Sequence, residues 1–297
     1  MKKSIKSILT LLLAASFMAM SVTPVMAANR KTIDYVAFGD SIAAGVRGGN
    51  ADPGDPSYES KSKYGYTNII ANYLNHADML SNFSKDKNLC RSGMTAAELA
   101  KNCNLLLNNK YTHEYNLVKN ADIITIDIGA NDLLGPLYDY VDTHNFPYDE
   151  NEAKNALVTT VQNVYTSGGF VGGNIATILQ SILKINPNVK IYVMGYYNPL
   201  PGLSTLLPSE LFMQYNVNNL SELIDLYINN NIIKAAIDNV TFINPSASIT
   251  YIDTMNKMAE NPDNYLVPTD IHPTEAGNQA IADVFWYYIE KEMGKTE

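Results

Sequence analysis

The sequence predicts an α/β protein, a parallel sheet with helices on both faces. Two observations carry this. Strand-like and helix-like runs alternate along the chain, the pattern of βαβ units. Two of the strand-like runs, Ile123–Ile128 and Lys190–Met194, are nearly continuous in apolar residues, as strands are when helices cover both sheet faces. A length of 297 residues fits one large domain of this kind, or two small ones.

Taken in order, residues 1–27 read as a secretory signal. Lys2, Lys3 and Lys6 form a basic start, Ile8 to Met20 is an apolar run, and Val25-Met26-Ala27 is a small-residue cleavage site. The mature chain is then secreted and begins near Ala28. The apolar run is short for a membrane span, so stable membrane insertion after cleavage is not expected. Tyr35–Phe38 is the first strand, ending at Gly39-Asp40-Ser41. Arg47–Ser62, with glycines, prolines and charges, reads as a surface excursion. Tyr66–Leu74 is helical, Met79–Phe83 a strand, and Thr95–Leu107 a helix with Thr95 as its cap. The third strand, Ile123–Ile128, is followed by Leu133–Tyr148, rich in Tyr and Leu. Helices are expected over Glu152–Tyr165 and Asn174–Ile185, the fourth strand over Lys190–Met194, and a second Tyr/Leu/Pro-rich stretch over Tyr196–Pro208. A helix over Leu220–Asp238, a strand over Thr241–Ile243 and a last helix over Glu275–Met293 complete the chain. The stretches after strands three and four hang over the carboxyl edge of the sheet, where open α/β proteins place ligands. They are either the walls of a cleft or long loops packed on the domain.

Charge and cysteines narrow the partners. The net charge is −9, and removing the three signal lysines makes it −12. An acidic exported chain is a poor partner for nucleic acid or anionic lipid surfaces. Cys90 and Cys103 are expected to close one local disulfide, the alternative being two thiols. His76, His113, His144 and His272 are scattered without ligand spacing, so no metal site and no cofactor is expected.

The chemistry concentrates at strand ends. Ser41 closes a strand at the carboxyl edge, although strand-Gly-Asp-Ser is also ordinary turn chemistry. A serine hydroxyl is a weak nucleophile and needs a base within hydrogen-bond reach, with donors for the oxyanion formed on attack. His272 is the candidate base. Pro273 holds it in an extended conformation, where residues two apart share a side, so Asp270 stands where it can orient the imidazole. Donors are expected from Gly93, before the Thr95-capped helix, and from Asn131, at the end of the third strand. Asp40 and Asp132 are expected to brace these loops through nearby amides.

Gly39-Asp40-Ser41, Ser92-Gly93, Gly129-Ala130-Asn131-Asp132 and Asp270-Ile271-His272-Pro273, in this order, resemble the four blocks of the SGNH (GDSL-type) hydrolase family. The resemblance covers nearly all of residues 28–297 as one hydrolase domain. It implies a three-layer α/β/α sandwich, flavodoxin-like, with a mostly parallel five-stranded sheet. It implies Ser41 as nucleophile, His272 as general base and acid, and an oxyanion hole of the Ser41 amide, the Gly93 amide and the Asn131 side chain. One departure stands out. The family places its acid three residues before the histidine, where this chain has Thr269. Either Asp270 takes that role, or a backbone carbonyl orients His272.

The function expected is a secreted serine esterase or lipase acting on lipid, lysophospholipid or medium-chain acyl esters through an acyl-enzyme on Ser41. Its rival is a carbohydrate O-acetyl esterase on wall or plant polysaccharide. From another class comes a secreted binding protein with a dead site. Nucleotide binding fits poorly, because no glycine-rich phosphate fingerprint follows the first two strands.

Overall fold

The computed structural model describes residues 31–46, 64–77, 79–84, 87–110, 112–143, 149–202, 213, 216–267 and 270–293. The expected signal, the Arg47–Ser62 loop, Thr269 and residues 203–208 of the second edge loop lie outside them. In chain order the strands are β1 (Thr32–Ile33), β2 (Tyr35–Gly39), β3 (Leu80–Ser81), β4 (Ile123–Asp127), β5 (Lys190–Met194), β6 (Ser248–Ile252), β7 (Leu266–Val267) and β8 (Asp270–Pro273). The helices are α1 (Ser41–Ala44), α2 (Tyr66–His76), α3 (Ala96–Asn108), α4 (His113–Asn120), α5 (Ala130–Leu133), α6 (Gly135–Thr143) and α7 (Glu150–Ile185). After β5 come α8 (Leu220–Leu223), a π-helical stretch (Ile224–Lys234), α9 (Ala235–Ile243), α10 (Met255–Ala259), α11 (Pro262–Tyr265) and α12 (Glu275–Met293).

Four parallel strands pair in the order β2-β4-β5-β6. The register sets Gly39 opposite Asp127 and Met194 opposite Ile252, so the strands end at a common edge. On the far side of β2 the chain from Leu80 to Arg91 takes the fifth position. β3 pairs in parallel with β1, and the irregular residues beyond it bond β2 directly. Ala37 N donates to Lys87 O at 3.1 Å, Leu89 N to Ala37 O at 2.8 Å and Arg91 N to Gly39 O at 3.0 Å. The spatial order is therefore second, first, third, fourth, fifth, the doubly wound arrangement. The five-stranded expectation is corrected to four regular strands with an irregular fifth.

Apolar continuity explains the centre. Every residue of β2 and β4 is buried, and Ile123, Ile124 and Ile126 belong to the core. Each such side chain contributes about 1.5–3 kcal/mol on burial. On one face α2 and α12 pack together, with the rings of Tyr66 and Phe285 stacked at 5.1 Å. On the other, α3 lies along α7. Helix α3 begins with a capping box: Thr95 Oγ1 accepts from Glu98 N at 3.2 Å, and Glu98 Oε2 accepts from Thr95 N at 3.1 Å.

Three expectations need correction. Thr241–Ile243 is the last turn of α9, with Phe242 88% exposed, and the strand lies five residues on at Ser248–Ile252. A short run of β-branched and aromatic residues does not distinguish strand from helix end. The helices expected over Glu152–Tyr165 and Asn174–Ile185 are one, α7. Its glycines do not break it, and Gly168 makes room for a neighbour: a Cβ there would stand 2.6 Å from Ile232 Cδ1 of the π-helical stretch. Cys90 and Cys103 remain thiols. Leu89 lines a cavity with Cys103 beneath α3, whereas Cys90 bears on Tyr35 and Tyr66 across the sheet. Adjacent residues of an extended segment face opposite ways, which separates the two sulfurs. Burial pushes the Cys103 thiol up to about 12.

Candidate active site

Ser41 is positioned by the turn from β2 into α1. Asp40 caps that helix, its Oδ1 accepting from Ile42 N at 3.0 Å, and Asp40 N donates to Asp127 O at 3.1 Å across the strand pair. Gly39 has no room for a side chain: a Cβ there would lie 2.6 Å from both Ala43 Cβ and Asp127 O. Gly39→Ala is therefore expected to destabilise the fold by about 1–3 kcal/mol. Urea unfolding reads this, and a wild-type midpoint would mean that the turn has slack.

His272 comes to the same edge on β8, which pairs antiparallel with β7 just before α12. Its Nε2 lies 2.9 Å from Ser41 Oγ, and its Nδ1 lies 2.7 Å from Asp270 Oδ1. The same carboxylate oxygen accepts from His272 N at 2.9 Å, so Asp270 fixes both ring and backbone. An imidazole that donates from Nδ1 to a carboxylate presents Nε2 as an acceptor to the serine hydroxyl. The extended geometry of β8 accounts for a carboxylate two residues before the histidine, since residues two apart share a side. The Tyr197 hydroxyl, bonded to Ile271 O at 3.4 Å, ties β8 to the chain after β5.

The candidate oxyanion donors flank this pair. Gly93 sits in the left-handed region at φ +73°. Its loop is tied to the end of β2 by the bond from Arg91 N to Gly39 O. Asn131, in the first turn of α5, donates from Nδ2 to Met94 O at 2.9 Å and to Asp40 Oδ2 at 3.3 Å. Both of its N–H bonds are thus engaged within the protein, the longer one with Asp40. Asp132 Oδ2 accepts from Ala96 N at 2.8 Å, bracing the start of α3. Ser41, Asp270, His272, Gly93 and Asn131 accordingly gather around one strand edge. The arrangement can deprotonate a serine, hold the resulting imidazolium, and offer donors to a developing oxyanion.

Other groups beneath the site escaped sequence reasoning. Asp127, the last residue of β4, is fully buried, and burial raises its carboxyl to about 7. Burial also raises Asp40, and Asp127 beside it raises it further. The Tyr196 hydroxyl accepts from Ala130 N at 3.0 Å. Tyr196 itself is clamped by Asn229, which accepts from its amide at 2.7 Å and donates to its carbonyl at 2.8 Å. The available signal was an acid inside an apolar strand. Among the described residues no group of three or more His, Cys, Asp or Glu is placed to hold a metal ion.

The model of the GDSL-like lipase/acylhydrolase family matches residues 37–280. Among solved structures the chain is similar to a lipase, Lip_vut3, from a goat rumen metagenome, at 20% identity over 86% of this chain and 95% of that one, TM-score 0.53. It is similar to a family 3 carbohydrate esterase of Clostridium thermocellum, at 18% identity over 90% and 99%, TM-score 0.51. It is also similar to phospholipase A1 of Streptomyces albidoflavus NA297, at 17% identity over 86% and 98%, TM-score 0.53. Likeness at such identities establishes the fold. A search of the curated proteins finds no match.

Proposed function

The chain belongs to the GDSL-like lipase/acylhydrolase family, and from that premise we propose that it is an exported serine esterase working through an acyl-enzyme on Ser41. The observation that carries the reading is the chain of contacts from Ser41 Oγ to His272 Nε2 at 2.9 Å and from His272 Nδ1 to Asp270 at 2.7 Å. His272 takes the Ser41 proton as the oxygen attacks the ester carbonyl. The tetrahedral oxyanion accepts bonds from the amides of Ser41 and Gly93 and from Asn131 Nδ2, which shares with it the N–H that meets Asp40 Oδ2 at 3.3 Å in the resting site. His272 returns the proton to the departing alcohol, and water then releases the acid by the same steps in reverse order. Residues 1–27 direct export and are removed. Such an intact contact chain weighs against a dead binding protein.

Within this class a lipid or medium-chain acyl ester is the favoured substrate. The likeness to a lipase and to a phospholipase A1 supports this choice, whereas Leu134, Leu137, Tyr138, Tyr196, Tyr197 and Leu200 are buried and pack the edge loops onto the domain. The likeness to a carbohydrate esterase, as strong as that to the lipase, keeps O-acetyl polysaccharide as the second reading. Hydrolysis of p-nitrophenyl esters from acetate to palmitate by the mature protein separates them: an optimum at medium or long chains supports the first, activity confined to acetate the second. No hydrolysis along the series would overturn the esterase reading.

Asn131→Ala is expected to lower kcat about 10²–10³-fold with little change in KM, because the donor acts on charge that develops only in the transition state. An unchanged kcat would remove Asn131 from the oxyanion hole.

A further inference from the structure

The fold places a buried carboxyl pair under the site that the mechanism above does not use. Asp127 faces the end of β2 in register with Gly39, and Asp40 follows at the next position. Neither oxygen of Asp127 closes a hydrogen bond of ordinary geometry, although the Tyr196 hydroxyl and the Ala43 amide bear on it as donors. Asp40, 1% exposed, is better supplied: Oδ1 accepts from Ile42 N and Oδ2 from Asn131 Nδ2. Asp132 and His272 also act on Asp40. The hydroxyls of Tyr66, Tyr138 and Tyr197 face this acid pair from α2, α6 and the chain after β5. No lysine or arginine is among these groups. Two adjacent carboxylates with no cation between them cannot both ionise readily. Burial raises both carboxyls, and the N–H bonds that Asp40 accepts and Asp127 lacks favour the charge on Asp40 and the proton on Asp127.

We propose that Asp127 is a positioning residue: it stays protonated beside an ionised Asp40, and this single shared charge keeps Asp40 on the Ile42 amide and Asn131, holding Ser41 and the oxyanion donor in place. Ionising Asp127 sets a second negative charge against Asp40 and pushes it off those bonds. The role of Ser41 and Asn131 rests on the esterase reading, whereas the proton on Asp127 does not.

The sign of the pH effect follows from linkage. Unfolded, Asp127 ionises near 4, and folded, near 7. The folded state therefore binds the extra proton between those values. Its stabilising effect is complete below pH 4, drains away as pH rises to about 7, and is gone above. Asp127→Asn imitates the neutral carboxyl. The variant is expected to match wild-type kcat within about twofold at pH 6. It should lack the wild-type fall in kcat above pH 7 and melt higher than wild type at pH 9, with no such gain at pH 4. A variant with the wild-type pH profile, with or without a gain in Tm, would overturn the positioning role. So would a variant inactive at every pH. Two NMR readings need no activity. In wild-type protein the Asp127 carboxyl signal should titrate near 7, and a midpoint near 4 overturns the proposal even if the variant fails to fold. The Asn131 side-chain amide signal should move over the same range in wild type and stay fixed in Asp127→Asn, and a shift shared by both would overturn it. Absence of hydrolysis by wild type would fail the esterase reading alone, leaving both NMR readings to decide the inference.

Discussion

Replacing Ser41 by alanine is expected to lower turnover of a p-nitrophenyl ester by on the order of 10⁶-fold, about 8 kcal/mol of barrier. Among the described residues no other hydroxyl is bonded to His272, whose Nε2 meets Ser41 Oγ. What remains, the candidate oxyanion donors, can still polarise an ester for attack by water, so a trace of activity above background is expected. The fold should survive. The cap of α1 comes from Asp40 and not from Ser41, so the substitution removes one hydrogen bond, a net loss of about 1 kcal/mol. Kinetics on purified protein, with an unfolding curve beside them, read both halves. A loss under tenfold from folded protein would mean that another group attacks the ester.

Asp270→Asn is expected to lower kcat by about 10⁴-fold and leave KM close to wild type. One carboxylate oxygen accepts both from the backbone amide of His272 and from Nδ1. An asparagine carbonyl in place of that oxygen can accept both bonds but without the negative charge, and in the flipped orientation its amide offers a hydrogen to Nδ1. That favours the tautomer with its proton on Nε2, facing Ser41, and such a ring cannot accept the serine proton. The imidazolium formed in the transition state also loses its counter-charge. Single-turnover rates separate this chemical defect from slow product release. A variant with near wild-type kcat would assign the orientation of His272 to another group, a backbone carbonyl being the alternative that the sequence left open.

Legibility in the sequence followed apolar continuity. β4 and β5 were visible because strands covered on both faces must be apolar throughout, and α12 because its period and its end coincide with the chain pattern. The Ser41 and His272 segments were visible because serine, glycine and proline constrain the backbone locally. β6 was hidden: it is half-exposed along most of its length, and its residues alternate too weakly to mark a strand beside the apolar end of α9. The span of α7 was hidden because four glycines read as an interruption, whereas Gly168 is the price of close approach by Ile232. The π-helical stretch and the Asn229 clamp on Tyr196 rest on contacts 33 residues apart, which no local pattern encodes. Asp127 lies between these cases, since its sequence context marks it as odd and only the register with Gly39 says why.

Helix α7 is longer than the sheet it covers. Val171 stands against Gly129, just past the end of β4, so residues 171–185 span the height of the sheet. The preceding residues, 150–170, extend past the carboxyl edge by roughly 30 Å at 1.5 Å per residue, and α6 packs against them. Ser41, His272, Asp270 and Asn131 all hang from strand ends or the turns beside them, not from this projecting half. Asn163 in that half nevertheless donates to Asp132 O at 2.7 Å and to Leu133 O at 2.9 Å, so a change in the α6–α7 arm reaches the turn that carries Asn131 through these bonds.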